Sequence, residues 1–465
     1  VVSIQDPSET QLTYEYQRGR LTGLTDGEGY KTTYRYDSNG RLNELIDPMN
    51  RPFAKTTYDA QGRMTSTTNR DGRVIHYEHS PSNQQQIIED ANGGITVLEF
   101  DSEGNLVRET DALGGVTERE FDLSGNETLT RDPLGREIRR TFDAVGRVIS
   151  GVDASGATTR LTYDFQGNLL SETSPLGATV RYEYDARGNL IKKIESDGTI
   201  SIRRTIDERG NVIQESNALG QRTIQEFDSL GRPVAIVDPL GNRVELQRGA
   251  DGVPTERIDG LGNRTQFTVD RRGLITAIRG PDGKTVNREF NPIGKNTVAS
   301  NGHGSPIQYE VNADGRETHF SDALGNTRER IYDLAGNLIS IVDPHGRVTH
   351  HQYDALGRRI KTTHPDGSFI TMAYDAVGNL VEKTDELGFK TQFQYDANDR
   401  PVRTVDPLGR ITTQQYDLLG RLVAVTDPAG RVTRYVYDAR DNLTETQFPD
   451  GTRRTFVYDD LDSPC

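Results

Sequence analysis

An aromatic residue, in most cases followed by aspartate, returns every 21 residues along most of this chain. Phe100, Phe121, Phe142, Tyr163 and Tyr184 keep that step, and so do Val269, Phe290, Val311, Tyr332, Tyr353, Tyr374, Tyr395, Tyr416, Tyr437 and Tyr458. Between the two runs the step slips by one residue at Ile206, Phe227 and Gln247 and then recovers. Self-similarity at a fixed period of this length requires a repeat architecture in which each unit covers its neighbour. A prior of about three globular domains from length alone therefore yields to one continuous array over residues 1–465 with no separate catalytic domain.

Hydrophobic residues make up only 33% of the sequence, Trp is absent and Gly numbers 47. Several thick cores are excluded, and a thin extended sheet ordered largely by backbone hydrogen bonds is favoured. The 19 Tyr and 14 Phe, falling in register, argue equally against disorder. A net charge of −15 argues against nucleic acid or an anionic membrane as a partner. Cys465 is the sole cysteine, so no internal disulfide forms. No apolar run reaches membrane-spanning length and no signal pattern stands at Val1, so this segment is not expected to insert into a membrane. Val1-Val2-Ser3-Ile4 and Tyr458-Asp459-Asp460-Leu461 both fall in mid-repeat, which reads as a piece of a longer polypeptide.

Within a repeat, two runs of six or seven residues alternate with two turns that share the rule Asp-x-x-Gly. Asp at the first position accepts hydrogen bonds from the turn's own amides, Pro at the second presets φ, and Gly at the fourth tolerates positive φ. Asp132-Pro133-Leu134-Gly135, Asp238-Pro239-Leu240-Gly241 and Asp406-Pro407-Leu408-Gly409 are the proline version. The aromatic version places Tyr163, Asp164 and Gly167 as its fixed points, then Tyr184, Asp185 and Gly188; Tyr353, Asp354 and Gly357; Tyr374, Asp375 and Gly378; Tyr416, Asp417 and Gly420; and Tyr437 with Asp438. Turns this short imply antiparallel hairpins. The strand before each aromatic alternates: Leu161, Tyr182 and Tyr435 share a face with the slot, and Thr162, Glu183 and Gln415 lie on the other.

The fold class that follows is all-β: tandem hairpins of about 21 residues joined into one long spiralling antiparallel sheet. About 22 repeats give about 44 strands and a ribbon roughly 210 Å long and 23 Å wide. Twist accumulates in such a sheet, so it curls. One closed turn of that length would be about 67 Å across, too wide for side chains to fill. A partial hollow β-shell is expected.

The pattern Tyr416-Asp417-Leu418-Leu419-Gly420-Arg421-Leu422 followed by Asp427-Pro428-Ala429-Gly430 resembles the RHS (YD) repeat, and the resemblance covers nearly the whole chain. That family includes bacterial Rhs polymorphic toxins, wall-associated contact toxins, cocoon components of insecticidal toxin complexes and the YD shell of teneurins. The resemblance implies a spiralling sheet that encloses a toxic C-terminal domain of the same or a partner polypeptide. The family's plug segment, its aspartyl self-cleavage site and a toxin domain are not in this sequence. Asp132-Pro133, Asp238-Pro239 and Asp406-Pro407 resemble fragments of the cleavage motif but sit in ordinary repeat turns.

Enzymatic chemistry finds no support. His345, His350, His351 and His364 cluster in sequence and read as exposed polar residues of loops and strands; His76 and His79 lie on opposite faces of one strand. The many Asp residues belong to turns, which supplies neither a glycosidase pair nor a calcium loop. Gly302-His303-Gly304 reads as a repeat turn. No catalytic, cofactor or metal residue is nominated. Tyr77 to Asn83, Arg248 to Pro254 and Phe290 to Pro306 blur the grammar and read as bulges or diverged turns.

The expectation is thus a structural encapsulation segment of an Rhs-type bacterial toxin, not an enzyme. Its implied partners are the C-terminal toxin domain and plug segments of the parent polypeptide, and secretion-apparatus tip proteins. Its implied location is the bacterial cytoplasm before export, then the medium or cell surface. A second reading is an extracellular adhesion or carbohydrate-binding module.

Overall fold

The computed structural model describes residues 1–5, 11–249, 252–300, 306–312 and 314–459. The Gly302-His303-Gly304 turn and Cys465 lie outside the described residues. The described chain forms 44 strands of one open, antiparallel sheet, and its one helical element is the 3-10 turn Pro81–Asn83. Each strand pairs with the next in sequence.

One repeat shows why. The strand Thr158–Tyr163 is rich in β-branched and aromatic residues, which suit a pleated, half-buried surface. Leu161 and Tyr163 are half-buried, and Arg160 and Thr162 face solvent. Thr162 pairs with Ser171, but Tyr163 pairs with Leu169, so Leu170 is skipped in a bulge. The same bulge precedes the aromatic at Phe121, Phe142, Tyr184, Tyr353, Tyr374, Tyr416 and Tyr437. A bulge at every repeat re-aims the slot side chain and increases local twist. The hairpin then closes through Gly167 N–H to Asp164 O, 3.2 Å, and Asp164 N–H to Asn168 O, 3.0 Å. The opposite end of the ribbon closes alike, through Gly135 N–H to Asp132 O at 2.8 Å. The ribbon therefore has two edges, one of aromatic-Asp turns and one of proline-type turns.

The structure corrects one reading of the period. Arg248, not Gln247, occupies the slot after Phe227. Arg248 pairs with Pro254 across the bulge as Tyr163 pairs with Leu169, and Gln247 points to the exposed side. In this stretch the step therefore slips once, between Tyr184 and Ile206, where a register shift at Lys193/Ile194 absorbs the extra residue. The irregular stretch after Tyr77 is a longer strand, Val74–Ser80, then the 3-10 turn and Gln84 in the left-handed region at φ 53°.

Burial is thin. Among the described residues the buried hydrophobics are Ile46, Leu129, Ala157, Ala235 and Ala424, and buried polar groups include Asp47, Ser216, Ser340, His351, Thr362 and Thr446. The chain divides into two compact units, Val1–Leu98 with Asn242–Phe369, and Glu99–Gly241 with Ile370–Cys465. Each unit holds two separate stretches of ribbon.

Candidate functional site

The aromatic-Asp edge is a chain of small polar clamps. Asp164 Oδ1 accepts from the amides of Gln166 and Asn168 at 2.9 and 2.8 Å, and Asp164 Oδ2 accepts from Asn168 Nδ2 at 2.8 Å. The Asn168 side-chain bond, foremost, holds the Asp164 carboxyl below its ordinary value. Asp185 is held the same way by Asn189. Where arginine replaces asparagine, it gives more. Arg421 Nε donates to Asp417 Oδ2 at 2.7 Å, its Nη1 reaches the Asp438 carbonyl of the next repeat at 3.2 Å, and its guanidinium lies 4.9 Å from the Tyr437 ring centre. Burial pulls the Asp417 carboxyl upward, but the Arg421 bonds outweigh it and the net shift is downward. Arg147 binds Asp143, Asp164 O and the Tyr163 ring in the same way, and Arg400 binds Asp396, Asp417 O and the Tyr416 ring. In each case the ring is covered by the arginine that follows the fourth residue of the preceding repeat's turn.

The tyrosine hydroxyl closes the clamp. Tyr353, Tyr416 and Tyr437 donate to the carbonyls of Leu338, Pro401 and Leu422 at 2.8, 3.1 and 2.8 Å, each fifteen residues earlier. The Tyr374 hydroxyl also lies 3.8 Å from Met372 Sδ. Asp354, Asp375 and Asp438 accept from their own turn amides as Asp164 does. Gly167, Gly188, Gly357, Gly378 and Gly420 all have φ between 74° and 101°. The nominated positions are thus brought together within each turn and linked to the next.

No motif in the sequence marks where ribbon stretches meet. In the unit containing residues 99–241 and 370–465, Asn398 Nδ2 donates to Asp153 Oδ2 at 2.8 Å, Arg440 Nε to Asp197 Oδ2 at 2.7 Å, and Arg136 Nη1 to Asp399 Oδ1 at 2.7 Å. The other unit repeats the arrangement. Asn69 and Arg73 bind Asp314, Asn312 binds Asp71, Asn92 binds Asp333, and the Arg271 amide binds Glu28. Each seam joins proline-type turns of the earlier stretch to aromatic-Asp turns of the later one, and most partners stand 241 to 245 residues apart. Every seam contact uses at least one side chain, whereas the sheet is held by backbone bonds.

The histidines divide. His345 and His350 are exposed, as expected, and His350 Nδ1 meets Ser340 Oγ at 2.8 Å. His351 corrects the expectation. It is buried, meets Thr362 Oγ1 at 3.1 Å, and its pKa is lowered first by burial and then by Arg359, His350 and His364. His79 sits in the slot 21 residues before Phe100 and donates Nε2–H to Met64 O at 2.7 Å, replacing a tyrosine hydroxyl. Among the described residues no group of three or more His, Cys, Asp or Glu is arranged around a metal-sized site, and no helix is long and apolar enough to cross a membrane. In the unit containing residues 1–98, a cavity of about 580 Å³ opens at one seam station, walled by Leu24, Tyr30, Phe53, Leu274, Ile293 and Arg272.

A ribbon of clamped hairpins with seamed edges defines a tandem β-hairpin repeat protein. The RHS Repeat family matches residues 17–48, 58–95, 100–137, 166–200, 207–243, 332–368, 374–411 and 416–453, and the chain belongs to that family. Its fold is similar to that in the crystal structures of TcdB2-TccC3-Cdc42, at a TM-score of 0.65 and 13% identity, and of TcdB2-TccC3, at 0.64 and 14%. These matches cover 96% and 97% of this chain and 35% and 33% of the others. A Tc holotoxin pore from Photorhabdus luminescens is similar at a TM-score of 0.64 and 14% identity over 96% of this chain and 31% of the other. This chain spans about a third of the length of the solved chains it matches.

Proposed function

We propose that this chain is a wall segment of a protein shell in an RHS-type bacterial toxin, holding a C-terminal effector domain until delivery. The mechanism is steric, and no catalytic step is assigned to the wall. The carrying observation is the seam. Two stretches of ribbon about 243 residues apart are stitched turn to turn in each unit, as a continuous wall requires and a simple solenoid strand array does not. Membership of the RHS Repeat family and likeness to toxin-complex structures support the same reading. The proposed partners are the effector and plug segments of the parent polypeptide and secretion-apparatus tip proteins. The proposed location is the bacterial cytoplasm before export, then the medium or the cell surface.

The test is protection of cargo from protease. The parent polypeptide carrying this segment should shield its C-terminal domain from added protease. The triple change Asn398→Ala, Asp399→Ala and Arg440→Ala should speed cargo cleavage several-fold while the strand content stays intact. Equal cleavage rates with and without the wall, or specific glycan binding by a wall that shields nothing, would move the assignment to adhesion.

A further inference from the structure

We infer that the Asn92-Gly93 step is a modification site, and that loss of ammonia from Asn92 opens the seam at its own station. Asparagine followed by glycine is prone to spontaneous deamidation, because glycine puts no side chain in the way of the ring that must form. The chain carries three such steps, Asn39-Gly40, Asn92-Gly93 and Asn301-Gly302, and the third lies outside the described residues. The other two sit in turns of one geometry. Gly40 and Gly93 both have φ 82°, each glycine N–H donates to the carbonyl of the aspartate that leads its turn at 3.0 Å, and both asparagines are exposed. Their surroundings differ. The Arg20 guanidinium lies against Gly40, at the place a Cβ would take. At Gly93 that place is open, with no atom beyond the chain neighbours within 4 Å. The Asn92 side chain is also a seam bond, since Nδ2 donates to Asp333 Oδ2 at 3.2 Å.

The reaction needs only water as co-reactant. The Gly93 nitrogen gives up its proton and attacks Asn92 Cγ. The new C–N bond closes a five-membered imide, and the Cγ–Nδ2 bond breaks as ammonia leaves with that proton. Water then adds to either imide carbonyl and opens the ring, leaving aspartate or isoaspartate. The Gly93 N–H must first release the Asp90 carbonyl, which makes the step slow. Either product reverses the contact. Burial pulls the Asp333 carboxyl upward, but bonds from Asn337 and then Asn92 outweigh it, so Asp333 is ionised at neutral pH. A donor facing that carboxylate becomes a second carboxylate, and like charges this close oppose each other's ionisation. Arg73 acts on Asp333 but is bound to Asp314. Other seam stations do carry aspartate at the third turn position, and there the facing group is a donor. Asp71 accepts from Asn312 at 3.0 Å and Asp197 from Arg440 at 2.7 Å. At position 92 the facing group is an acceptor, so the amide is what the station requires. Isoaspartate also adds a backbone atom to the turn.

Ageing the 465-residue chain in mildly alkaline buffer tests this. Peptide mass mapping should find aspartate and isoaspartate at position 92. Amide hydrogen exchange in the aged chain should run several-fold faster than in fresh chain at turns 90–94 and 333–337, while strand interiors stay protected. The variant Asn92→Asp should show that gain from the start. Asn92→Ala should show a smaller one, because it loses the bond without adding a charge, and Asn39→Asp should show none at these turns. An aged chain modified at Asn39 but intact at Asn92 overturns the inference. So does an Asn92→Asp variant whose two turns exchange at the wild-type rate, or equal exchange in Asn92→Asp and Asn92→Ala.

Discussion

At the scale of single residues, the aromatic slot does two jobs that a hydrophobic pattern does not separate. Its ring takes the guanidinium of the preceding repeat, and its hydroxyl secures the carbonyl fifteen residues back. Tyr437→Phe should keep the first and lose the second, costing about 1 kcal/mol in chemical denaturation. Val436→Thr, on the exposed face of the same strand, should cost less than half of that, within the usual range for surface changes. His351 supplies a pH readout. Its folded pKa is depressed, so below about pH 6.5 the unfolded chain binds a proton that the native chain does not. Stability should fall as pH drops through that window, and His351→Met should flatten the slope. Methionine suits the site because Met372 holds the equivalent position one repeat later. Thermal midpoints at pH 7.5 and pH 5.5 decide it. A wild-type midpoint unchanged between them would contradict the burial of His351. Counting back 21 residues from Phe100 flags His79 as a slot residue, and the alternation that places Leu161, Tyr182 and Tyr435 on the slot face places His351, two residues before Tyr353, there too; what the strand's own pattern lacks is the degree of burial, which the neighbouring strand sets.

At the scale of the hairpin, the turn was readable because its chemistry is local. Asp, Gly and the residue after Gly lie within five positions, and their spacing fixes who bonds to whom. Three Asp-led turns break the glycine rule, with Asn50 at φ 59°, Asp399 at φ 61° and Asp441 at φ 70°; the two aspartates differ in their partners. A left-handed non-glycine residue costs about 1 kcal/mol. Asp441 offsets this with an exposed ion pair to Arg421, worth at most about 1 kcal/mol, so Asp441→Gly should be neutral or stabilising. Asp399→Gly should lower the unfolding midpoint instead, because Asp399 reaches Arg136 across the seam as well as Asn379. The sequence shows the same anomaly at both positions. The difference lies in curvature accumulated over many strands, which no short window of sequence contains. For the same reason the spacing places the slot at Gln247 and the structure at Arg248: the register comes from the partner strand, and a polar slot residue carries no pattern to reveal it.

At the scale of the whole molecule, two kinds of bond coexist. Strands are joined by backbone hydrogen bonds and ribbon stretches by arginine, asparagine and amide donors to carboxylates. Salt should separate them. At about 1 M ionic strength the screening length falls to about 3 Å, so the seam turns near Asp132, Asp153 and Asp197 should exchange amide hydrogen faster while strand interiors stay protected. Acid should act on the same contacts. Asp399 is held below its ordinary pKa first by Arg136, and Asp197 by the Thr199 amide, followed among the lowering causes by Arg440. Depressed carboxylates stabilise above the unfolded pKa of about 3.9, so the seam should persist to about pH 4 and loosen as pH falls through the lowered values. Loosening between pH 7 and pH 5 would speak against these pairs as its main bonds. The regular offset of the seam also bears on how such a gene can change length. Losing or duplicating one hairpin leaves the local ladder intact but moves every later turn one station along. Asn398 would then face a different acceptor from Asp153, and so would each contact beyond it. Edits by single hairpins are cheap for the sheet and disruptive for the stitching, so drift in length should be tolerated only where a mismatch can be re-paired or where a whole circuit is gained or lost at once.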